Sequence, residues 1–227
     1  LNTLALWNTH HWNYQKGFEA LQVSFLMWHK GCKNKSIIYS LIGAVSKSNA
    51  LQTLHYIIDN YELPQEILSN YQRLLGENQA DPEEIFSNVV KGEYQMTKSG
   101  IQYLDKLNKR ELFDMVDFLN EDYFTEKIFA LLLVKSKLFD PQETWKILNF
   151  YFKKVLTKED NSDYFFKTFC EEERSVMPHI FQRKNIAGIK FLCSILPSTK
   201  GYYETLQSIN AYQHYLYEYL EQKANKL

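Results

Sequence analysis

The sequence is poor in glycine and proline, with 8 and 5 of these residues among 227. Both residues punctuate regular structure, so a chain with so few of them has little room for the many turns of an all-β fold. Apolar residues recur at intervals of three and four, which is the period of an α-helix. We therefore predict an all-α fold, either a helical-hairpin, α-solenoid-like array or an irregular multi-helix bundle.

Cysteine is also scarce, with three in the whole chain. Cys32, Cys170 and Cys193 are far apart in sequence and form no Cys-x-x-Cys pair, which argues against a disulfide framework and against a zinc site. We expect three free thiols. Cys193 stands between apolar residues, and because cysteine packs as a small hydrophobe, we place it in the core.

Long hydrophobic runs are absent, and the longest covers only residues 128–134. A spanning helix needs about 20 apolar residues, so we predict no membrane-spanning segment in this chain. The chain begins at Leu1 rather than at a methionine. This keeps open the hypothesis that it is the soluble part of a membrane-anchored envelope protein. Its compartment is left undetermined.

Charge of either sign is not in excess, since 26 basic and 27 acidic residues give a formal net charge of -1. A molecule with this balance has no overall field that would attract a phosphate backbone. We therefore expect no nucleic acid among its partners.

Helix boundaries are clearest at two Asp-Pro pairs, Asp81-Pro82 and Asp140-Pro141, each followed by glutamates or glutamines. Aspartate caps a helix, and proline fits its first turn, so we predict that helices begin at Pro82 and Pro141. The chain divides into an N-terminal lobe, 1–105, and a C-terminal lobe, 106–227, unless it forms one continuous domain.

Two long helices are predicted from periodicity. Between about Ile37 and Tyr61 we predict one long or two short helices. The residues that we assign to the core-facing side are Ile38, Leu41, Ile42, Val45, Leu51, Leu54 and Ile58. The last helix runs from about residue 202 to residue 224, and its apolar face should pack on the body of the protein.

Residues 7–29 place an aromatic residue, Trp7, before Gly17 and Ala20, in the order of a first helix, a turn glycine and a small residue where two helices cross. This segment resembles a tetratricopeptide-type helical hairpin, although the spacing from glycine to alanine is shorter and no closing proline follows. Residues 184–192 are similar to the second helix of an ankyrin repeat, without that family's Thr-Pro-Leu-His turn. Either resemblance implies a protein that binds other proteins on a helical surface.

The usual enzyme motifs are missing: we find no Glu-x-x-His, no His-Glu-x-x-His, no phosphate-binding glycine loop and no Gly-x-Ser-x-Gly. We therefore predict no catalytic residue, no metal site and no cofactor. Histidine and carboxylate are one helical turn apart in two places, where an ion pair is the simplest account. A rival hypothesis is an enzyme, or a binder of a small apolar ligand, with an aromatic pocket between helices; its candidate residues are His55, Asp59, His179 and His214.

Aromatic residues are abundant, with 16 Tyr, 15 Phe and 4 Trp. On the last helix, Tyr203 and Tyr215 fall far from the centre of the apolar face. Tyrosine is enriched in interfaces, so we select Tyr203, Tyr215 and Tyr217 as candidate protein-binding residues. The leading hypothesis is a non-enzymatic helical scaffold or adaptor that binds another protein; the sequence does not indicate an oligomeric state.

Overall fold

A computed structural model of the chain describes residues 1–33, 36–118, 139–157, 185–196 and 199–224. Of these residues 88% are helical and none is in a strand, which confirms the all-α prediction. The arrangement as a repeat array stays a prediction. The helices of the described ranges are α1 Asn2–His10, α2 Tyr14–Lys33, α3 Ile37–Asn60, α4 Gln65–Glu77, α5 Pro82–Lys106, α6 Lys109–Phe118, α7 Pro141–Leu156, α8 Ile186–Ile195 and α9 Thr199–Ala224.

The chain forms two compact units. The first combines Leu1–Lys91 with Gly201–Leu227, and the second is Gly92–Lys200. The first unit therefore unites the beginning of the chain with the last helix. The division into lobes 1–105 and 106–227 stays a prediction.

Both predicted Asp-Pro helix starts are confirmed. Helix α5 begins at Pro82, and the Asp81 carboxylate accepts a hydrogen bond from the Glu83 N–H at 2.9 Å. Helix α7 begins at Pro141, and the Asp140 carboxylate accepts from the Glu143 N–H at 3.0 Å. A side-chain acceptor at this position satisfies an N–H group that has no partner within the helix.

Helix α3 is a single helix. The core face predicted for its second half, with Leu51, Leu54 and Ile58, is confirmed by their burial, but the face predicted for its first half was wrong. Ile38, Ile42 and Val45 are 68%, 53% and 56% exposed. The residues that this half of the helix buries instead are Ile37, Ser40, Gly43, Ala44 and Lys47.

The cause is a close crossing of α2 and α3. A Cβ atom on Gly43 would lie 3.2 Å from the Trp28 Cα atom, and one on Gly31 would lie 2.8 Å from the Tyr39 carbonyl oxygen. Helix backbones that approach this closely need small residues between them, so the glycines fix which side of α3 faces inward. The larger apolar side chains are left on the outside.

Helix α9 packs on the body of the protein, as predicted, and the helices that it contacts are α3 and α4. Ser40 of α3 and Tyr202 of α9 share a buried hydrogen bond of 2.5 Å, and the Gln213 side chain donates to the Leu75 carbonyl of α4. The buried apolar residues of α9 are Tyr202, Leu206, Ile209, Leu216 and Leu220. These contacts hold the last helix in the first unit.

In the second unit, Asn185 joins the start of α7 to the start of α8. Its side-chain oxygen accepts hydrogen bonds from the Asp140 N–H and the Thr144 hydroxyl, both at 2.9 Å. Asn185 has a left-handed backbone with φ of 68°, which asparagine tolerates better than most residues. The link fixes two helix ends at one buried side chain.

The structure also bears on the cysteines, on the position of Gly17 and on membrane-spanning helices. Cys32 is a free thiol, but Cys193 is disulfide-bonded and only half-buried, so the prediction of three free thiols was wrong; Cys170 lies outside the described residues. Gly17 lies in the first turn of α2, where Thr9 of α1 approaches it, and not in the turn between the two helices. Within the described part of the chain, no helix is long and apolar enough to cross a membrane.

Candidate functional site

The most organised group of exposed side chains lies where α9 crosses the second half of α3. Tyr212, Tyr215 and Tyr219 stand on successive turns of α9 with nearly parallel rings. The ring centroids of Tyr212 and Tyr215 are 6.2 Å apart, and those of Tyr215 and Tyr219 are 6.0 Å apart, with interplanar angles of 10° and 5°. We call these three tyrosines, together with His55 and Asp59 of α3, the tyrosine surface.

His55 and Asp59 fix the tyrosines in place. The Tyr219 hydroxyl donates to the Asp59 carboxylate at 2.7 Å, and Tyr212 Oη lies 2.7 Å from His55 Nδ1. His55 Nε2 is 3.4 Å from the other Asp59 oxygen. The network is satisfied when the Nε2–H donates to Asp59 and Nδ1 accepts from Tyr212. The imidazole also meets the three tyrosine rings edge-on, at 5.7–5.8 Å.

The electrostatics keep the hydroxyls of Tyr212 and Tyr219 protonated. The hydrogen bond to Asp59 raises the pKa of Tyr219, with additional contributions from burial, from the negative charge of Asp59 and from repulsion by the ionised form of Tyr215. Burial raises the pKa of Tyr212, and Tyr215 and Asp59 act in the same direction. A carboxylate next to a phenol disfavours the phenolate, so these side chains act as neutral donors and apolar rings.

Part of this surface faces solvent. Tyr215, in the middle of the stack, is 48% exposed, and the Asp59 side chain is 43% exposed. Lys223 lies with its Nζ atom 5.6 Å from the Tyr219 ring centroid and donates to the Ile58 carbonyl. The surface therefore offers an exposed aromatic side chain, Tyr215, and the carboxylate of Asp59, both in contact with His55.

The structure brings three of the predicted residues, Tyr215, His55 and Asp59, into this one group. Sequence reasoning had divided them between a protein-binding hypothesis and a pocket hypothesis. It missed Tyr212 and Tyr219 as members of the group. Their spacing of three and four residues from Tyr215 was a signal that they share its side of the helix.

The other predicted residues lie elsewhere. The Tyr203 hydroxyl donates to Glu83 at 3.1 Å, and its ring lies 5.0 Å from that of Phe86, so Tyr203 contacts its own chain. Tyr217 is half-buried, and a Cβ atom on Gly76 would lie 3.5 Å from its ring. His179 lies outside the described residues.

His214 lies at a separate depression between the α4–α5 connection and α9. Its imidazole is 3.3 Å from the Glu218 carboxylate, one turn further along α9. The depression has a volume of about 390 Å³, is open to solvent, and is lined by Gln79, Ala80, Asp81, Pro82, Asn210 and His214. No group of three or more His, Cys, Asp or Glu side chains in the described ranges is placed to hold a metal ion.

Lys47 and Cys32, both inside the first unit, have clearly displaced pKa values. Burial lowers the pKa of Lys47 to about 8, against a weaker opposing effect of Cys32. Burial raises the pKa of Cys32 to about 12, opposed by Lys47 and by a hydrogen bond to Ser40. Neither residue lines the depression at His214, so the displaced groups and the open volume do not form one site.

Comparisons with protein-family models, with curated proteins and with solved structures gave no match for this chain. Its function is therefore argued from the geometry of its own residues.

Proposed function

We propose that this chain is a non-enzymatic helical scaffold that binds another protein through the tyrosine surface. The observation that carries the proposal is the stack of Tyr212, Tyr215 and Tyr219, in which the central ring is exposed although its neighbours are restrained. The helices from α1 to α5, which are joined by short connections, supply a rigid support for such a surface.

Restraint matters because binding costs the entropy of each side chain that it immobilises. The hydrogen bonds to His55 and Asp59 have already ordered Tyr212 and Tyr219, and these two rings flank Tyr215. A partner would therefore contact a large aromatic area whose side chains lose little further conformational entropy on binding. Tyrosine is enriched among the residues that dominate interface energies for this reason.

The chemistry of the surface also indicates what the partner presents. Tyr215 offers the part of its ring and hydroxyl that faces solvent, and Asp59, linked to it through His55, offers a carboxylate. An arginine side chain fits both, because its guanidinium group packs against aromatic rings and pairs with carboxylates. We expect an arginine of the partner near Tyr215.

The test uses a photoreactive benzoylphenylalanine in place of Tyr215, in the full chain in its source cells. A discrete crosslinked protein is expected at this position. The same replacement at Tyr103, an exposed tyrosine of α5 outside the tyrosine surface, is the control and should give no such product.

The captured protein should then bind the wild-type chain at least about 30-fold more tightly than a Tyr215→Ala variant, as for a residue that contributes 2 kcal/mol at an interface. Tyr103→Ala should bind like the wild type. Equal products at positions 215 and 103, or unchanged binding by Tyr215→Ala, would contradict the proposal. Tyr203→Ala is unsuitable as a probe, because Tyr203 contacts Glu83 and Phe86 in the same chain.

A further inference from the structure

A second exposed surface lies on the hairpin of α2 and α3. Val23 and Met27 stand one turn apart on α2, and Ile38, Ile42 and Val45 follow one face of α3; all five are exposed. Met27 Sδ lies 4.0 Å from the hydroxyl of Ser46, which is one turn after Ile42, so the two apolar rows adjoin. We call these five residues the hairpin face.

Exposed apolar residues are concentrated around this hairpin. Of the 18 large hydrophobic side chains that are exposed in the described residues, 11 lie between residues 1 and 45. They include Leu4 and Trp7, on one side of α1, and Trp12, which is 78% exposed in the turn before α2. Trp12 has a φ of 60°, a left-handed conformation that bulky residues rarely adopt, and in this conformation its indole stays in solvent.

The charge of the same region differs from that of the whole chain. Residues 1–58 contain five lysines and a single acidic residue, Glu19, which gives a formal charge of +4, or +3 without the buried Lys47, whereas the complete chain carries -1. Lys16, Lys30 and Lys33 are exposed on α2. The overall balance therefore conceals a basic region that coincides with the exposed apolar residues.

We propose that the hairpin face docks on the surface of an anionic lipid bilayer. Apolar side chains and tryptophan enter the boundary between headgroups and acyl chains, while lysines remain at the level of the phosphates. The exposed residues are spread over three consecutive helices, and tryptophan is enriched at membrane interfaces. This binding is peripheral, and it goes beyond the protein-binding role, which uses different residues of α3 and α9.

The experiment measures cosedimentation of the full chain with two kinds of vesicles, one of phosphatidylcholine alone and one with 30% phosphatidylserine. We expect binding to the anionic vesicles that weakens as salt is raised, together with a blue shift of tryptophan fluorescence. Each lysine near an anionic surface contributes about fivefold to the partition coefficient, so Lys30→Gln with Lys33→Gln should lower it roughly 20-fold.

A second double variant, Ile42→Ser with Val45→Ser, should lower partitioning by at least tenfold, because it removes the apolar part of the contact. Its matched control is Met96→Ser with Tyr103→Ser, which removes two equally exposed apolar side chains from α5 and should bind like the wild type. Circular dichroism verifies that each variant is folded, as expected for changes at exposed positions.

Three results would overturn the proposal. The first is folded wild-type protein that binds neither kind of vesicle at low salt. The second is equal binding to neutral and anionic vesicles, which would remove the role of the lysines. The third is a dimer in sedimentation equilibrium that the Ile42→Ser, Val45→Ser variant abolishes, which would assign the hairpin face to a second copy of the chain. None of these results bears on the photocrosslink at Tyr215, so the two proposals fail separately.

Discussion

Lys47 allows a direct test of how the first unit is packed. The residue is 1% exposed, its Nζ atom donates to the Asn78 carbonyl at 3.1 Å, and this atom lies 4.6 Å from the Trp28 ring centroid. Burial lowers the pKa of Lys47 from 10.5 to about 8, and the weaker effect of Cys32 opposes this shift. Burying the Lys47 ammonium group therefore lowers the free energy of unfolding.

The sign of the pH dependence follows from proton binding. Between pH 8 and pH 10.5 the unfolded chain keeps the Lys47 proton while the folded chain releases it, so the free energy of unfolding rises with pH. Below pH 8 both states are protonated and the full penalty applies, about 3 kcal/mol for the difference between pKa values of 10.5 and 8. The neighbouring Cys32 acts oppositely, because burial raises its pKa to about 12 and the unfolded thiol ionises first, above pH 9.

The assay is urea unfolding followed by circular dichroism at several pH values from 7 to 9.5. For the wild type we expect a gain of about 1 kcal/mol between pH 7 and pH 9 and a plateau above it, since the contributions of Lys47 and Cys32 then cancel. The Cys32→Ala variant should show no plateau, and its free energy of unfolding should continue to rise with pH. Lys47→Met should show no gain at all, and a Lys47→Met curve parallel to that of the wild type would refute the argument.

Three further substitutions test packing, capping and an unsatisfied hydroxyl by the same unfolding assay. Gly31→Ala should destabilise the protein by about 1–3 kcal/mol, because the new Cβ would meet the Tyr39 carbonyl at 2.8 Å, whereas Gly201→Ala, with no atom within 4 Å, should gain about 0.5–1 kcal/mol. Asp140→Ala should cost about 1 kcal/mol through loss of the α7 cap; an unchanged midpoint would exclude the cap. Tyr71→Phe should be neutral or stabilising, since the buried Tyr71 hydroxyl has no hydrogen-bond partner, and a loss above about 1 kcal/mol would show otherwise.

The sequence predicted those features of the fold that depend on neighbouring residues. The starts of α5 and α7 follow from an aspartate and a proline whose interactions stay within one helical turn. The inner face of the first half of α3 could not be read in the same way, because it depends on the approach of Gly31 in a different helix to Gly43. A helix that is apolar on several sides has no single face that its own periodicity can identify.

The tyrosine surface shows the same limit. The exposure of Tyr215 followed from its place on α9, but its grouping with His55 depends on a contact between positions separated by about 160 residues. Periodicity relates residues within one helix and does not indicate which helices pack together. The hydrogen bond of Tyr203 to Glu83 depends on another such contact, which is why Tyr203 was selected as a surface residue.

The docking of α9 on α3 and α4 also determines when the first unit can be completed. Its two parts, Leu1–Lys91 and Gly201–Leu227, are separated by the entire second unit. During synthesis, the sides of α3 and α4 that later receive Tyr202 and Gln213 must remain uncovered while that intervening segment is translated. A nascent chain in this state exposes apolar surface and is a substrate for chaperones. A premature stop codon before α9 would consequently remove the helix that packs on the N-terminal helices and destabilise them, although none of their own residues had changed.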